Sequence, residues 1–402
     1  MTEIVSSLPM RSNDRIKTTH VGSLPRSAKL LGMINDLEAS KPVDRAVFRA
    51  QARSEIEAAI ENQMNAGLDS IGDGEMPRLG FSIYAKDRLS GFGGFSDRGT
   101  VTDFVKFPKY AELMAARAGV DTITESATTW KMPQCIDTVV YDDTQAREEM
   151  DLFADALSTK NAQVEQTFVT AATPGIVSTT LFRSPDHPAY SNDEEYVFAL
   201  AEELRKEYEL IVSRGHMLQL DAPDLGLERQ IMYLDRSENE FLERVALHIE
   251  ALNRALVNIP PEKTRLHLCW GNWEGPHCDD IDLKPLLPHI YKANVGGLSL
   301  ACANPRHAHE IDLFRSLPPP QDWLLYPGCI DVTYNYLEHE GVVAKRILEF
   351  VEVIGDRERV VASTDCGFST FAGYVMVAED VAWAKLKALA DGASLASKQL
   401  WG

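Results

Sequence analysis

The sequence predicts an α/β protein built as one (β/α)₈ TIM barrel over residues 1–402, with an insertion after strand 2 at residues 81–160. Three observations predict it. Short strand-like runs alternate with helical patterns eight times, apart from that one excursion. Polar and metal-binding residue types fall at the C-terminal end of almost every run, where such barrels carry their sites. The runner-up, a doubly wound open sheet, lacks support because no Gly-x-Gly-x-x-Gly follows an early strand.

The elements follow in order. Residues 1–13 read as a polar tail. Ile16–Val21 reads as strand 1 and Gly22-Ser23-Leu24-Pro25-Arg26 as the loop after it. Helical patterns over Ala28–Glu38 and Val43–Ala66 come next, with Gly67 as a C-cap. Leu68–Ile71 is strand 2, running into Gly72-Asp73-Gly74-Glu75. The insertion is Gly-rich at Gly91–Gly94, partly alternating, and helical near Asp143–Leu157. It can cover a site, mediate a homodimer contact, or merely decorate the surface. Strand 3 is Thr167–Ala171, ending in Thr173-Pro174-Gly175, and a helix over Asp193–Arg214 follows with Ser191 or Asn192 at its N-cap. Strand 4 is Met217–Leu220, ending in Asp221. A helix over Asn239–Val257 leads to strand 5, Thr264–Cys269. Asp282–Tyr291 is helical, Gly297–Ala301 is strand 6, and His307–Phe314 is a short helix. Strand 7 opens at Trp323 and ends near Asp331. After a helix over Gly341–Ile354, strand 8 is Val360–Thr364, and a helix over Glu379–Ala396 closes the chain.

Composition narrows the function classes. With 402 residues, 45% of them hydrophobic, the chain can bury a sizeable core. A net charge of -20 disfavours nucleic acid and anionic membranes as partners. No apolar run approaches the ~20 residues needed to span a bilayer, and the N-terminus has no signal-peptide core. A cytoplasmic, reducing location is the expectation. The six cysteines are then metal ligands, catalytic groups or core residues rather than disulfides.

The chemistry collects at strands 5 and 8. Residues two apart on a strand share a face, so His267 and Cys269 point together at the end of strand 5. Imidazole nitrogen and thiolate sulfur suit Zn²⁺. If the barrel closes, Cys366 at the end of strand 8 joins them on one rim. Three protein ligands with one open position is the layout of a catalytic zinc site. Cys302, after strand 6, is a candidate fourth ligand. Glu75 and Asp221 are strand-end carboxylates, able to hold a cation or move a proton, or else to cap a helix or form a salt bridge, and Asp331 also falls at a strand end. Trp270, Trp273 and Phe368 flank the ligands and either wall an apolar pocket or pack at the rim. Arg306 either grips an anionic group through its planar fork or pairs with a loop carboxylate.

Thr18-Thr19-His20-Val21-Gly22-Ser23-Leu24-Pro25-Arg26, the pair His267-x-Cys269, and Thr364-Asp365-Cys366-Gly367-Phe368 together resemble the catalytic barrel of cobalamin-independent methionine synthase. Cys269-Trp270-Gly271-Asn272-Trp273-Glu274-Gly275-Pro276 and Ala303-Asn304-Pro305-Arg306 resemble its shorter single-barrel relatives, which include epoxyalkane:coenzyme M transferase. The resemblance covers most of residues 16–395. It implies a zinc-dependent methyl or alkyl transferase that activates a small thiol as the thiolate for attack on the electrophilic carbon of an alkyl donor. It implies His267, Cys269 and Cys366 as metal ligands. It places Ser23, Glu75 and Asp221 where the family holds the thiol substrate's carboxylate and amine, with Asp221 also able to move a proton. Asn272, Trp273, Trp270, Arg306 and Asp331 are expected to line the substrate site.

Departures accompany the resemblance. The family's fourth ligand, a glutamate, stands as Ala301 here, which cannot bind metal. Either Cys302 substitutes, which strand alternation opposes unless a bulge intervenes, or the site keeps three ligands. The family's folate-facing acid histidine stands as Thr333. His20 and His277 are the nearest replacements by chain position, and either can equally be structural. The alternative function on this scaffold is a zinc-dependent lyase or hydrolase using metal-activated water. A non-enzymatic thiol or metal binder is the third reading.

Overall fold

The alternation in β5 (Thr264–Leu268) sets the layout: Leu266 and Leu268 are fully buried in the hydrophobic core, while Arg265 and His267 bond to residues of other strands and of the chain after β1. The same two-faced logic serves β1 (Lys17–Thr18), β2 (Ser70–Ile71), β3 (Gln166–Ala172), β4 (Met217–Asp221), β6 (Gly297–Leu300), β7 (Leu324–Ile330) and β8 (Val361–Thr364). These eight parallel strands form one sheet in the order β1-β8-β7-β6-β5-β4-β3-β2. That order is the chain order followed round a ring, as a TIM barrel requires. At the seam between β1 and β2 a side chain supplements the backbone. Asp69 N–H donates to Thr18 O at 3.1 Å, and the Asp69 carboxylate accepts from Thr18 N–H at 2.9 Å and from its hydroxyl at 3.0 Å. This computed structural model describes residues 10–96, 98–118, 132–187 and 189–402.

Helices cover the ring where the periodicity predicts them, and capping chemistry sets their ends. α1 (Ala28–Glu38) starts at Ser27, whose hydroxyl accepts from Leu30 N–H. α2 (Arg45–Ala66) starts at Asp44 and stops at Gly67, which takes the left-handed φ of 88°. α3 (Thr144–Thr159) packs on α2 and belongs to the outer layer, although its position in sequence falls within the expected 81–160 excursion. α4 (Pro174–Thr180) follows β3 directly and was not expected; Thr173 caps it and Pro174 opens it. α5 (Asp193–Ser213) is capped by Asn192, and α6 (Glu238–Ala255) by a reciprocal Ser237–Glu240 box. α7 (Leu283–Ile290), α8 (Glu340–Ile354) and α9 (Glu379–Trp401) complete the layer, with α9 packed on both α8 and α2.

The excursion holds the expected antiparallel structure as a two-residue pair, Phe92–Gly93 with Gln134–Cys135, plus helices Thr102–Lys106 and Pro108–Ala118. Residues 119–131 lie outside the described residues. Its helices dock on the loop after β5. Asp103, fully buried, accepts from Trp273 Nε1–H at 3.2 Å, His277 N–H at 2.8 Å and Cys278 N–H at 3.3 Å. Among the described residues no helix is long and apolar enough to cross a membrane.

Candidate metal centre and its chamber

Strand register assembles the centre. Asp221 of β4 sits beside His267 of β5, and His267 beside Ser299 of β6. Ser299 Oγ lies 3.2 Å from His267 Nδ1, which leaves Nε2, a buried atom with no partner, to face the centre. Ring closure brings β8 to the same rim. The Cys269 and Cys366 sulfurs are 3.9 Å apart, and the ligand atoms of His267, Cys269 and Cys366 all lie within 4.8 Å of one another. Two thiolates at ~2.3 Å from one tetrahedral zinc stand ~3.8 Å apart. The spacing, the orphaned imidazole nitrogen and the donor set therefore fit a tetrahedral N/S metal site. Cysteine chemistry agrees. The contact with Cys366 holds the Cys269 thiol well below its ordinary pKa, against the effect of burial, with help from His267 and the Gly271 N–H at 3.2 Å. The same contact, with burial, pushes Cys366 up.

Cys302 does not join the three. Its backbone N–H donates to Asp365 Oδ1 at 2.8 Å, as does that of Ala303 at 2.7 Å, while Asn304 N–H donates to Oδ2 at 2.9 Å. Asp365 thus ties the loop after β6 to β8, between two ligand-bearing rims. Gly328 makes room for it, since a Cβ there would lie 1.8 Å from Asp365 Oδ1.

Above the three ligands is a chamber of about 220 Å³. Ser23, Glu75, Asp221, Asn272 and Trp273 line it. Glu75 takes the left-handed backbone at φ 57°, a strained conformation for a non-glycine residue. Arg26 holds it there by donating to its carbonyl at 2.6 Å. Its Oε1 accepts from the Thr170 hydroxyl at 2.9 Å, and its buried Oε2 has no partner. Burial, then the neighbouring Asp221, push Glu75 up to about 7. Burial likewise pushes Asp221 up to about 6, although Gln219 Nε2 donates to it at 2.9 Å. Gln219 in turn accepts from Arg265 Nε–H at 2.8 Å, and the buried Arg265 guanidinium lies over the Phe168 ring at 4.2 Å. Gly271, at φ 109°, lets Trp273 fold back, since a Cβ there would meet its ring at 1.8 Å.

Other expected residues lie elsewhere. His20 is buried beneath the chamber wall, its Nε2 2.7 Å from Gln63 Oε1 and its ring edge-on to Phe168. Burial lowers it to about 3, which favours the neutral ring, and its buried Nδ1 has no partner among the described residues. His277 has both ring nitrogens occupied, by Asp280 at 3.0 Å and Trp273 O at 3.1 Å, and also stays outside the wall. Trp270 donates to Ile281 O at 2.8 Å and stacks on His307 at 4.1 Å, holding the loop rather than the substrate. Arg306 is exposed. Asp331 closes a turn on Thr333, accepting its N–H at 2.8 Å and its hydroxyl at 2.7 Å. Chain position placed these five near the rim, and none of them lines the chamber.

Sequence reasoning missed Ser299 and Asp103, which support the site from outside the chamber, and the insertion residues Arg98, Val101, Phe104 and Met132, which line it. Ser299 was findable by aligning β5 with β6; the insertion residues carry no periodic signal.

The comparisons agree with this architecture. No family model matches the chain. A methionine synthase of Thermococcus kodakarensis is 25% identical over 388 residues, 96% of this chain and 94% of that protein. A 2-hydroxypropyl-CoM lyase of Xanthobacter autotrophicus is 27% identical over 177 residues, 38% of this chain and 45% of that protein. Among solved structures, a B12-independent methionine synthase from Shewanella in complex with selenomethionine superposes with a TM-score of 0.70 at 20% identity, over 96% of this chain and 99% of that one. The chain is a homologue of proteins named methionine synthase and 2-hydroxypropyl-CoM lyase, with the single barrel of the B12-independent methionine synthases.

Proposed function

We propose that the protein is a zinc-dependent transferase that moves a methyl or alkyl group onto the sulfur of a small thiol. The observation that carries this reading is the His267–Cys269–Cys366 cluster opening into a chamber that also holds Glu75 and Asp221. The homology to methionine synthases supports the reaction class. When bound, zinc supplies a Lewis acid that lowers the pKa of a coordinated thiol. His267, Cys269 and Cys366 would hold it, and Ser299 fixes the imidazole so that Nε2 faces inward.

The chain's own residues then bind and orient. Glu75 and Asp221 are buried carboxylates with lone pairs facing the chamber, suited to the ammonium of an amino-acid thiol. Ser23, packed so closely against Gly367 that a Cβ there would meet Ser23 Oγ at 2.1 Å, is placed to hold the carboxylate end of the same molecule. The sulfur lone pair forms the new bond to the donor's electrophilic carbon as the bond from that carbon to its leaving atom breaks, and the pair of the broken bond stays on the leaving atom, which takes up a proton from solvent. The thiol proton departs beforehand, and Asp221, beside His267, is the nearest carboxylate by strand register to pass it to solvent, regaining its charge before the ammonium is held for transfer.

The test is metal analysis of protein purified without chelator, then zinc-edge X-ray absorption with a panel of small thiols. About one zinc per chain, and one added sulfur ligand for one thiol, is the expected result. Cys269→Ser and Cys366→Ser should lose metal and transfer together. Turnover without any thiol would replace this reading with activated water.

A further inference from the structure

We infer that the alkyl donor at this centre is a compact molecule with an apolar body and no anionic group. This rests on the reading of the chamber as a transfer site, and it concerns the part of the chamber that the insertion builds. Val101, Phe104 and Met132 from the insertion line it together with Ile176 of α4 and Leu227 and Ile231 from the segment after β4. That half of the wall is apolar.

One guanidinium, Arg98, reaches the wall from the same segment, and it is already occupied. Its Nη1 donates to Thr179 O at 2.9 Å and to the Thr180 hydroxyl at 3.2 Å, and its Nη2 pairs with Glu228. Glu228 is fully buried, so turning Arg98 toward an incoming anion would strand a carboxylate without its counter-charge. Among the described lining residues there is no other lysine or arginine.

The unpartnered buried atoms at the wall point the same way. Glu75 Oε2 and Asn272 Oδ1 are acceptors, and Thr100 supplies one hydroxyl. Asn272 Nδ2 is taken by Gly367 O at 2.8 Å and Thr370 Oγ1 at 2.6 Å, which fixes which end of the amide faces in. A divalent ion held by two thiolates adds no net positive charge. Among the described lining residues, an anionic donor would thus meet two carboxylates and no cation that is not already paired. At about 220 Å³ the chamber is also smaller than the ~300–1,000 Å³ typical of drug-sized ligand sites. A compact, uncharged donor such as an alkyl or aryl ether matches this apolar half of the wall.

The experiment uses the full-length, metal-loaded protein and two matched probes, anisole and 4-methoxybenzoate, with binding followed by ligand-observed NMR and calorimetry. Anisole should bind at least tenfold more tightly. Glu228→Gln, which removes the counter-charge of Arg98, should narrow that ratio at least threefold. Val101→Lys should do the same without disturbing the buried pair, and so serves if Glu228→Gln fails to fold. Equal or tighter binding of 4-methoxybenzoate by the unsubstituted protein, or no binding of either probe, would overturn the inference. Thiol coordination is read separately by zinc-edge absorption, so a chamber that selects anisole in a protein that coordinates no thiol would refute the proposed transferase and leave the selectivity standing.

Discussion

His307 is expected to carry a buried positive charge that clamps the loop bearing Cys269, Asn272 and Trp273. It lies between two carboxylates, with Asp280 Oδ2 2.8 Å from Nε2 and Glu310 Oε2 2.8 Å from Nδ1, and its ring stacks on Trp270. Burial opposes the charge, but the two carboxylates outweigh it and raise the pKa from 6.5 to about 9. At ~1.4 kcal/mol per tenfold, a rise of this size corresponds to ~3 kcal/mol, an order-of-magnitude figure. The sign follows from the direction. The folded-state value is raised, so the stabilisation is fully present below pH 6.5 and is lost as pH climbs through about 9. The perturbation is His307→Gln, which carries no charge at any pH. Urea unfolding of both proteins at pH 6.5, 8 and 9.5 gives the difference in stability. That difference should shrink by ~2–3 kcal/mol across the series. A difference constant within ~0.5 kcal/mol would show that no charge resides on His307, and the clamp would then rest on packing alone.

Three further outcomes are expected. Ser299→Ala removes the partner of His267 Nδ1, and zinc affinity measured by chelator competition should fall roughly 10–100-fold while the fold stays intact. Asp103→Ala strips an acceptor from Trp273 Nε1–H and from the backbone of His277 and Cys278. It should cost ~2–4 kcal/mol and speed hydrogen exchange in residues 271–278, measured by mass spectrometry. Because burial pushes Glu75 up to about 7 and Asp221 up to about 6, binding of an amino-acid thiol should weaken as pH falls from 8 to 5.5, since protonation removes the charge that holds the ammonium. In Glu75→Gln the component of that titration near 7 should vanish from the calorimetric profile.

Much of this was legible in the chain. Period-two alternation puts Arg265, His267 and Cys269 on one face and Leu266 and Leu268 on the other, because successive side chains on a strand point to opposite faces. Caps and glycines marked helix ends within a few residues, as at Asn192 and Gly67. Spacing and strand-end position also singled out His267, Cys269 and Cys366, whose chemistry is local to the residue type.

What only the tertiary structure decided are relations across long stretches of chain. Ring closure brings Cys366 to 3.9 Å from Cys269 across 97 residues, and the register of β6 on β5 sets Ser299 against His267. The burial of His20 and the engagement of both His277 nitrogens depend on neighbours such as Gln63 and Asp280 that no periodicity links to them. The chamber's insertion-built half and its neutralised Arg98 come from an excursion that lacks a regular repeat, so their positions follow from docking rather than from pattern. Periodicity encodes which face a residue takes. It does not encode which distant residue that face will meet, because that is set by the closed barrel and by the packing of loops on its rim.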